Sequence, residues 1–187
     1  MNGRSQSIVL IGMMGAGKSS VGRCLQRRTK LALFDTDDVV ASMFGMSIPE
    51  VFARHGEGKF RKAETEVLRE LTIRKQAIIV TGGGIVSREE NISLLKRLGV
   101  VVWLDSNEET LFERVSRGAN RPLLKKDDPR KAFSQILQVR VPLYAKIANL
   151  RVDTSVLTNE EVAVAVLSKL RKRGHNLHRG GMLSAAK

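Results

Sequence analysis

Short apolar runs alternate along the chain with longer segments in which apolar residues recur every three or four positions. The runs predict five strands, over 7–11, 31–34, 77–81, 100–104 and 149–152. Several of them are apolar at every position, which is typical of strands that are covered on both faces. Because strands and helices alternate, we expect an α/β domain built on a parallel sheet with crossover helices.

Polar residues mark where five of the helices should begin. Four sites pair a serine or threonine with a glutamate three residues later, the spacing of a capping box. A fifth joins an aspartate to a proline, which is typical of an N-cap and the first helical residue. The pairs are Ser47 with Glu50, Ser87 with Glu90, Ser106 with Glu109, Thr158 with Glu161, and Asp128 with Pro129. A further helix is expected over 38–44.

The segment between the first strand and the next helix carries the most specific motif. Residues 12–19 read Gly-Met-Met-Gly-Ala-Gly-Lys-Ser and fit a phosphate-binding loop: glycine, four free positions, then Gly-Lys-Ser. In such a loop, backbone N–H groups and the helix N-terminus hold phosphate oxygens. Lys18 would reach the β- and γ-phosphates and Ser19 would bind Mg²⁺. The sequence therefore predicts a nucleoside triphosphate site.

Composition narrows the class of protein. A chain of 187 residues with 42% hydrophobic residues fits one globular domain. No apolar run approaches the roughly 20 residues of a membrane span, and the first residues lack an apolar leader. The single cysteine, Cys24, excludes an internal disulfide and fits a small buried residue. We expect a cytoplasmic protein that does not bind membranes.

The net charge of +13 has two possible meanings: affinity for nucleic acid, or a site built for anionic substrates. Residues 171–187 hold five lysines and arginines and no acid. Because residues 174–187 lack a helical or strand pattern, we interpret them as a basic tail without regular structure. We do not expect this tail to bind nucleic acid.

Further polar features fall where parallel strands should end, which is where such folds bind ligands. Asp35 and Asp37 follow the second strand, and a glycine triplet, residues 82–84, follows the third. Arg61 and Glu64 lie three residues apart, so the carboxylate can hold the guanidinium on one helical face.

Asp105, after the fourth strand, is a competing Mg²⁺ ligand or a simple turn residue. The guanine-reading motif Asn-Lys-x-Asp of GTPases does not occur.

In order and spacing, these motifs resemble the shikimate kinases, small members of the nucleoside-monophosphate-kinase-like group. The resemblance implies a P-loop kinase fold, a three-layer sandwich whose five-stranded parallel sheet has the order 2-3-1-4-5. It also implies one kinase domain over 1–173 with a lid over about 115–128. The matching motifs are the phosphate loop, Asp35-x-Asp37, Phe60-Arg61-x-x-Glu64, Gly82-Gly83-Gly84, Arg121-Pro122-Leu123-Leu124 and Arg140-x-Pro142-Leu143-Tyr144.

The activity implied by this resemblance is transfer of the ATP γ-phosphoryl group to the 3-hydroxyl of shikimate, with ADP as product and Mg²⁺ as cofactor, in chorismate and aromatic amino acid biosynthesis. Arg61 and Arg140 would bind the substrate carboxylate, since a guanidinium can bond both of its oxygens. Asp37 would orient the attacking hydroxyl and accept its proton, and the Gly83 N–H would hold another substrate oxygen.

On the nucleotide side, the resemblance implies that Lys18 and Arg121 stabilise the negative charge on the transferred γ-phosphoryl group. Arg117 would stack on adenine, and Asp35 would lie beside Ser19 in the Mg²⁺ shell. The remaining ATP-binding positions are the loop residues Gly12, Gly15, Ala16, Gly17, Ser19 and Ser20.

Two other functions stay open at this point. One is a related kinase for another small acid such as gluconate, against which the set of Asp35, Asp37, Phe60 and Arg61 argues. The other is a nucleotide-dependent RNA-binding module that uses the basic tail. We expect a monomer whose partner is the small molecule shikimate.

Overall fold

The computed structural model describes residues 6–73, 76–117 and 127–175. Five strands form one parallel sheet of order β2-β3-β1-β4-β5, as predicted. The strands are β1 (Ser7–Ile11), β2 (Ala32–Asp35), β3 (Ala77–Val80), β4 (Gly99–Asp105) and β5 (Leu150–Asp153). β1 matches its predicted range, β3 ends one residue earlier than predicted, and β2, β4 and β5 differ by one residue at each end.

In the described ranges, seven helices cover the two sides of the sheet. They are α1 (Lys18–Thr29), α2 (Thr36–Phe44), α3 (Ile48–Leu71), α4 (Glu89–Leu98), α5 (Glu108–Ser116), α6 (Pro129–Ile147) and α7 (Asn159–Lys172), with a 3₁₀ turn at Ile85–Ser87. Of these, α2 begins two residues earlier than predicted, and α3 bends at Gly56, whose φ of 74° is not helical.

Three of the five predicted helix starts are confirmed. Capping boxes form at Ser47 and Thr158, and the Asp128 carboxylate accepts a hydrogen bond from the Lys131 N–H. The other two predictions are wrong by one residue, because Ser87 lies inside the 3₁₀ turn and Ser106 bonds instead to the Ser155 hydroxyl. The helices begin after Arg88 and Asn107.

The hydrophobic core lies on both sides of the central strands. β1 is buried along its whole length between β3 and β4, and Cys24 is buried as predicted. This packing fixes the carboxyl ends of β1, β2 and β3, from which the site is built. In the described part of the chain, no helix is long and apolar enough to cross a membrane.

Candidate active site

The phosphate loop lies between β1 and α1, as the sequence predicts. Gly15 has a φ of +87°, and a Cβ there would lie 2.6 Å from the Leu111 carbonyl oxygen, so the position requires glycine. Lys18 is the first residue of α1, and its buried Nζ donates hydrogen bonds to the carbonyls of Gly12 (2.8 Å) and Met13 (2.9 Å). The ammonium is therefore held against the loop that would surround a phosphate.

The two aspartates after β2 have different surroundings. Asp35 is the N-cap of α2: its Oδ1 accepts from the Asp37 N–H at 3.1 Å, and its Oδ2 accepts from the Ser19 hydroxyl at 2.9 Å. Asp37, in the first turn of α2, has a buried Oδ1 without a hydrogen-bond partner. Asp35 is thus fixed beside the phosphate loop, while one oxygen of Asp37 remains available.

A second buried oxygen without a partner lies close to the first. The two such side-chain atoms within the described ranges are Asp37 Oδ1 and Glu64 Oε1. A Cβ placed on Gly82 would lie 2.7 Å from the first and 3.0 Å from the second. Buried acceptors are normally satisfied, since leaving them bare costs about 1–3 kcal/mol each. Both atoms therefore mark a place where the donors of a ligand belong.

The glycine triplet also brings the two predicted arginines together. The Arg61 guanidinium is the nearest group to a Cβ built on Gly84, and Arg140 Nη1 would lie 3.5 Å from one built on Gly83. Arg61 is fixed by ion pairs to Glu57 (3.0 Å) and Glu64 (2.8 Å), the second of which confirms the predicted helical pair. Two guanidinium groups thus flank a backbone that has no side chains.

Helix α6 holds the triplet as well as supplying Arg140. One turn after Arg140, the buried Tyr144 hydroxyl donates to the Gly83 carbonyl at 2.5 Å. Burial raises the pKa of Tyr144 to about 12, against the opposing effect of Arg140, so the phenol keeps the proton that it donates. This contact fixes the peptide that joins Gly83 to Gly84, directly after the Gly83 N–H that is predicted to bind the substrate.

Burial shifts the three carboxyl groups of the site. Desolvation raises the pKa of Asp35 and of Asp37, and the charge of Asp35 adds to the effect on Asp37. It also raises the pKa of Glu64 to about 6, although the ion pair with Arg61 opposes the shift. The positive charges of Lys18 and Arg61 oppose the shift at Asp37, because they favour its ionised form.

A cavity of about 500 Å³ joins the phosphate loop, the acidic pair after β2 and the glycine triplet. From the predicted set it is lined by Gly15, Gly17, Lys18, Ser19, Ser20, Asp35, Asp37 and Gly83. Arg114, Leu157, Thr158 and Asn159 also line it, and sequence reasoning missed all four. The capping box at Thr158 could have pointed to the last three, because it places a helix start just beyond the carboxyl end of the last strand.

Other predicted residues lie apart from this cavity or outside the described ranges. Gly12 and Ala16 belong to the loop, and Arg61 and Arg140 lie beside the glycine triplet, but none of the four lines the cavity. Arg117 is exposed and paired with Glu113. Arg121 lies outside the described residues, as do 118–126 of the predicted lid and 176–187 of the predicted tail. Asp105, the competing metal ligand, accepts from Arg151 Nε at 2.8 Å and does not line the cavity.

Ser19 and Asp35 fit Mg²⁺ by their chemistry. Both offer hard oxygen atoms, and they lie within hydrogen-bond distance of each other beside the loop lysine. Mg²⁺ usually takes one or two protein oxygens and completes its shell with phosphates and water. Within the ranges given above, no cluster of three or more His, Cys, Asp or Glu residues could hold a metal by itself.

A parallel sheet of order 2-3-1-4-5, a phosphate loop after β1 and an acidic pair after β2 define a P-loop kinase. The family model for shikimate kinase matches residues 14–171. The chain belongs to the shikimate kinase family.

Individual relatives agree with this assignment. The chain is 41% identical to shikimate kinase of Thermodesulfovibrio yellowstonii over 167 residues, which cover 89% of the chain and 96% of that protein. It is 40% identical to shikimate kinase of Bordetella pertussis over 164 residues, covering 88% of the chain and 78% of that protein.

Solved structures are similar as well. Shikimate kinase from Acinetobacter baumannii in complex with shikimate superposes with a TM-score of 0.86 at 35% identity, covering 91% of the chain and 96% of that structure. A gluconokinase from Sinorhizobium meliloti gives 0.57 at 19% identity, covering 92% and 97%, and shares the fold alone.

Proposed function

We propose that the chain transfers the γ-phosphoryl group of ATP to the 3-hydroxyl of shikimate, giving shikimate 3-phosphate and ADP. One observation carries the proposal: the unpartnered oxygens of Asp37 and Glu64 and the guanidinium groups of Arg61 and Arg140 meet at one glycine triplet, beside the phosphate loop. Shikimate is a triol with one carboxylate, so it needs acceptors for hydroxyls and cations for an anion in one place. The similar structure from A. baumannii holds shikimate.

In this proposal, Arg61 and Arg140 bind the carboxylate from its two sides. Arg61 is half of a buried ion pair, so its position is set before substrate arrives. Arg140 lies beside the loop, with Nη1 4.0 Å from Met13 Sδ. The N–H of Gly83, a residue whose carbonyl is held by Tyr144, donates to a further substrate oxygen. Shape and charge at this end therefore favour a small hydroxy acid.

Asp37 Oδ1 accepts a hydrogen bond from the hydroxyl that attacks. As the oxygen forms its bond to the γ-phosphorus, the bond from that phosphorus to the β–γ bridging oxygen breaks and ADP leaves, while Asp37 takes the hydroxyl proton. Burial and the neighbouring Asp35 raise the pKa of Asp37, which makes this carboxylate a stronger base than a solvated aspartate. Lys18 faces the same space and opposes that shift by charge.

The phosphate loop holds the nucleotide through its backbone N–H groups, contributed by Gly12, Gly15, Ala16 and Gly17 and followed by Ser20 in α1. Lys18 stabilises charge on the γ-phosphoryl oxygens. Ser19 and Asp35 would hold Mg²⁺, Asp35 through water; the ion would neutralise phosphate charge when bound. Arg121 would add a second cation at the γ-phosphate and Arg117 would stack on adenine.

The organisation of the chain follows from the same proposal. Residues 1–173 form one kinase domain with a lid over about 115–128, and 174–187 form a basic tail that takes no part in catalysis. We expect a cytoplasmic monomer.

The test is ADP release from Mg-ATP by the purified chain, with and without shikimate, and with gluconate, quinate and nucleoside monophosphates as alternative acceptors. Stimulation by shikimate alone supports the proposal. Stimulation by another acceptor would retain the nucleotide site and reject the substrate assignment. With no stimulation by any acceptor, the kinase assignment fails and salt-dependent RNA binding becomes the next measurement.

A further inference from the structure

Helix α4 carries a fully buried asparagine, Asn91, in its first turn. The Asn91 Nδ2 donates to the Ile85 carbonyl at 3.0 Å, and its Oδ1 accepts from the Thr65 hydroxyl at 2.8 Å. Ile85 opens the 3₁₀ turn directly after the glycine triplet, and Thr65 lies in α3. One amide therefore links helix α3 to the backbone that follows the triplet.

Thr65 lies within about one helical turn of two charged groups of the site. It follows Glu64 directly, and its hydroxyl oxygen is 3.0 Å from the Arg61 carbonyl oxygen. The single hydroxyl hydrogen of Thr65 thus has two acceptors in range, and the Asn91 oxygen is the closer one. If α3 shifted along α4, this bond would break, and Arg61 and Glu64 would move with the helix that carries them.

The glycine triplet has two other side-chain attachments, which come from different helices. Thr36, at the start of α2, accepts from the Gly82 N–H at 3.3 Å. Tyr144, on α6, donates to the Gly83 carbonyl. Neither of these bonds includes a residue of α3. The Asn91 amide supplies that connection, and it does so next to Gly84, the glycine that lies closest to the Arg61 guanidinium.

The surroundings of Asn91 show why a polar residue matters at this place. The other buried residues of α4 are all apolar: Ile92, Leu94, Leu95 and Leu98. Apolar contacts alone hold two helices together without a preferred direction, whereas hydrogen bonds require particular distances and angles. A buried polar pair whose partners are satisfied therefore specifies one arrangement of the elements that it joins.

We propose that Asn91, acting with Thr65, is a positioning residue for the substrate: it holds Arg61 and Glu64 in register with the backbone of the glycine triplet. The inference rests on the proposed function, which places shikimate between these groups. Neither Asn91 nor Thr65 lines the cavity, so each acts through the residues that it holds. Because the pair makes no bond to the phosphate loop, it should affect the binding of shikimate and not that of ATP.

The experiment measures kcat and KM for each substrate, ADP affinity by titration calorimetry, and Tm, for Thr65→Val and Asn91→Leu. We expect either variant to raise KM for shikimate about tenfold, the loss of one buried hydrogen bond, while KM for ATP and ADP affinity stay within about twofold of wild type. Thr65→Ser keeps the hydroxyl and should restore the shikimate KM.

Thr29→Val is the matched control for the loss of a helical threonine hydroxyl. The Thr29 hydroxyl donates to the Leu25 carbonyl, four residues earlier, as Thr65 can to Arg61, but it lies at the end of α1 that is remote from the site. We expect its shikimate KM to be that of wild type. A lower Tm in Thr65→Val and Asn91→Leu with both KM values unchanged would overturn the proposal, because the pair would then serve stability alone. Equal rises in KM for ATP and shikimate would overturn it as well, since that is a general effect on folding.

The double variant Thr65→Val/Asn91→Leu tests whether the two residues act through one bond. We expect its shikimate KM to match that of the more affected single variant; independent, multiplying effects would overturn the joint role. If Asn91→Leu does not fold, the comparison of Thr65→Val with Thr65→Ser decides the matter. Wild-type protein without shikimate-stimulated ADP release would reject the proposed function and this inference with it, whereas active variants that keep the wild-type shikimate KM reject the positioning role alone.

Discussion

Asp35 and Asp37 are two residues apart, yet they differ in how many of their carboxylate oxygens are free to accept a hydrogen bond from a ligand. Asp35 uses both carboxylate oxygens, one on the Asp37 N–H and one on Ser19. Asp37 keeps a buried oxygen without a partner. The N-terminal end of α2 favours negative charge at both positions, so the difference comes from contacts and not from the helix. At the residue scale, therefore, one aspartate is fixed and the other is free to bind a hydroxyl.

Replacing Asp37 with asparagine tests that distinction. Asn keeps the size and an acceptor oxygen but removes the charge and the base, so we expect kcat to fall by about a hundredfold or more. ADP binding, measured by calorimetry, should stay close to wild type because the phosphate loop is untouched. The neighbouring exposed Asp38→Asn is the control and should keep its activity. An Asp37→Asn enzyme with normal kcat would remove this carboxylate from the mechanism.

Arg140→Lys tests the carboxylate site. Lysine keeps the charge but loses the planar pair of donors, so we expect KM for shikimate to rise about tenfold while KM for ATP is unchanged. Arg130→Lys, at the exposed start of the same helix, serves as control. Steady-state kinetics with each substrate varied in turn gives the result. If both arginine variants have the same shikimate KM, Arg140 does not bind the carboxylate.

The elements differ in how far their sequence alone determines them. Apolar runs located all five strands. The signal is strongest for β1, β3 and β4, because a strand buried on both faces can contain few polar residues. Helix starts were harder: Ser47 and Thr158 cap as predicted, but the Ser106 hydroxyl bonds to Ser155, which is 49 residues away. A local pattern competes with such tertiary contacts and cannot reveal them.

In the active site, too, some features follow from local sequence and others from tertiary contacts. The phosphate loop, Asp35, Asp37 and Arg61 lie in short motifs whose spacing carries the chemistry. Arg114, which lines the cavity, bonds to Thr154, and Tyr144 bonds to Gly83; these partners are 40 and 61 residues away. Nothing local to either residue records its partner, so only the folded chain brings them together.

Helix α3 offers a matched test at the scale of one element. Gly56 has φ 74° and ψ 166°, a backbone region nearly restricted to glycine, whereas Gly58 is helical, and a Cβ on either meets no atom within 4 Å. We therefore expect Gly56→Ala to lower the free energy of unfolding by about 1–3 kcal/mol. Gly58→Ala should raise it by up to about 1 kcal/mol. Urea unfolding measures both, and equal effects would show that the bend at Gly56 does not constrain α3.

At the scale of the whole molecule, the active site places energetic demands on the fold. Ser19 and Arg140 are separated by most of the chain, and the buried sheet brings their loops to one edge. This arrangement lowers stability at Glu64. Its side chain is fully buried, and one of its carboxyl oxygens has no hydrogen-bond partner. Functional sites commonly retain such unfavourable groups, since binding requires them.

The unfavourable free energy of burying the ionised Glu64 carboxylate should appear as a pH dependence of stability. Burial raises the pKa of Glu64 to about 6, from about 4.5 in an unfolded chain. Between these values the native state binds more protons than the unfolded state, so the contribution of Glu64 to stability is complete below 4.5 and is lost as the pH rises through 6. A shift of this size corresponds to about 2 kcal/mol.

Glu64→Gln removes that titration. We expect the free energy of unfolding of the variant, relative to wild type, to increase by about 2 kcal/mol between pH 4.5 and pH 7, as measured by urea unfolding at closely spaced pH values. The exposed Glu66→Gln on the same helix is the control and should show no such trend. Because glutamine changes the Arg61 contact at every pH, the slope and not the absolute difference is decisive. A difference that stays flat from pH 4.5 to pH 7 would mean that Glu64 titrates as a solvated carboxyl, and that the fold encloses it without strain.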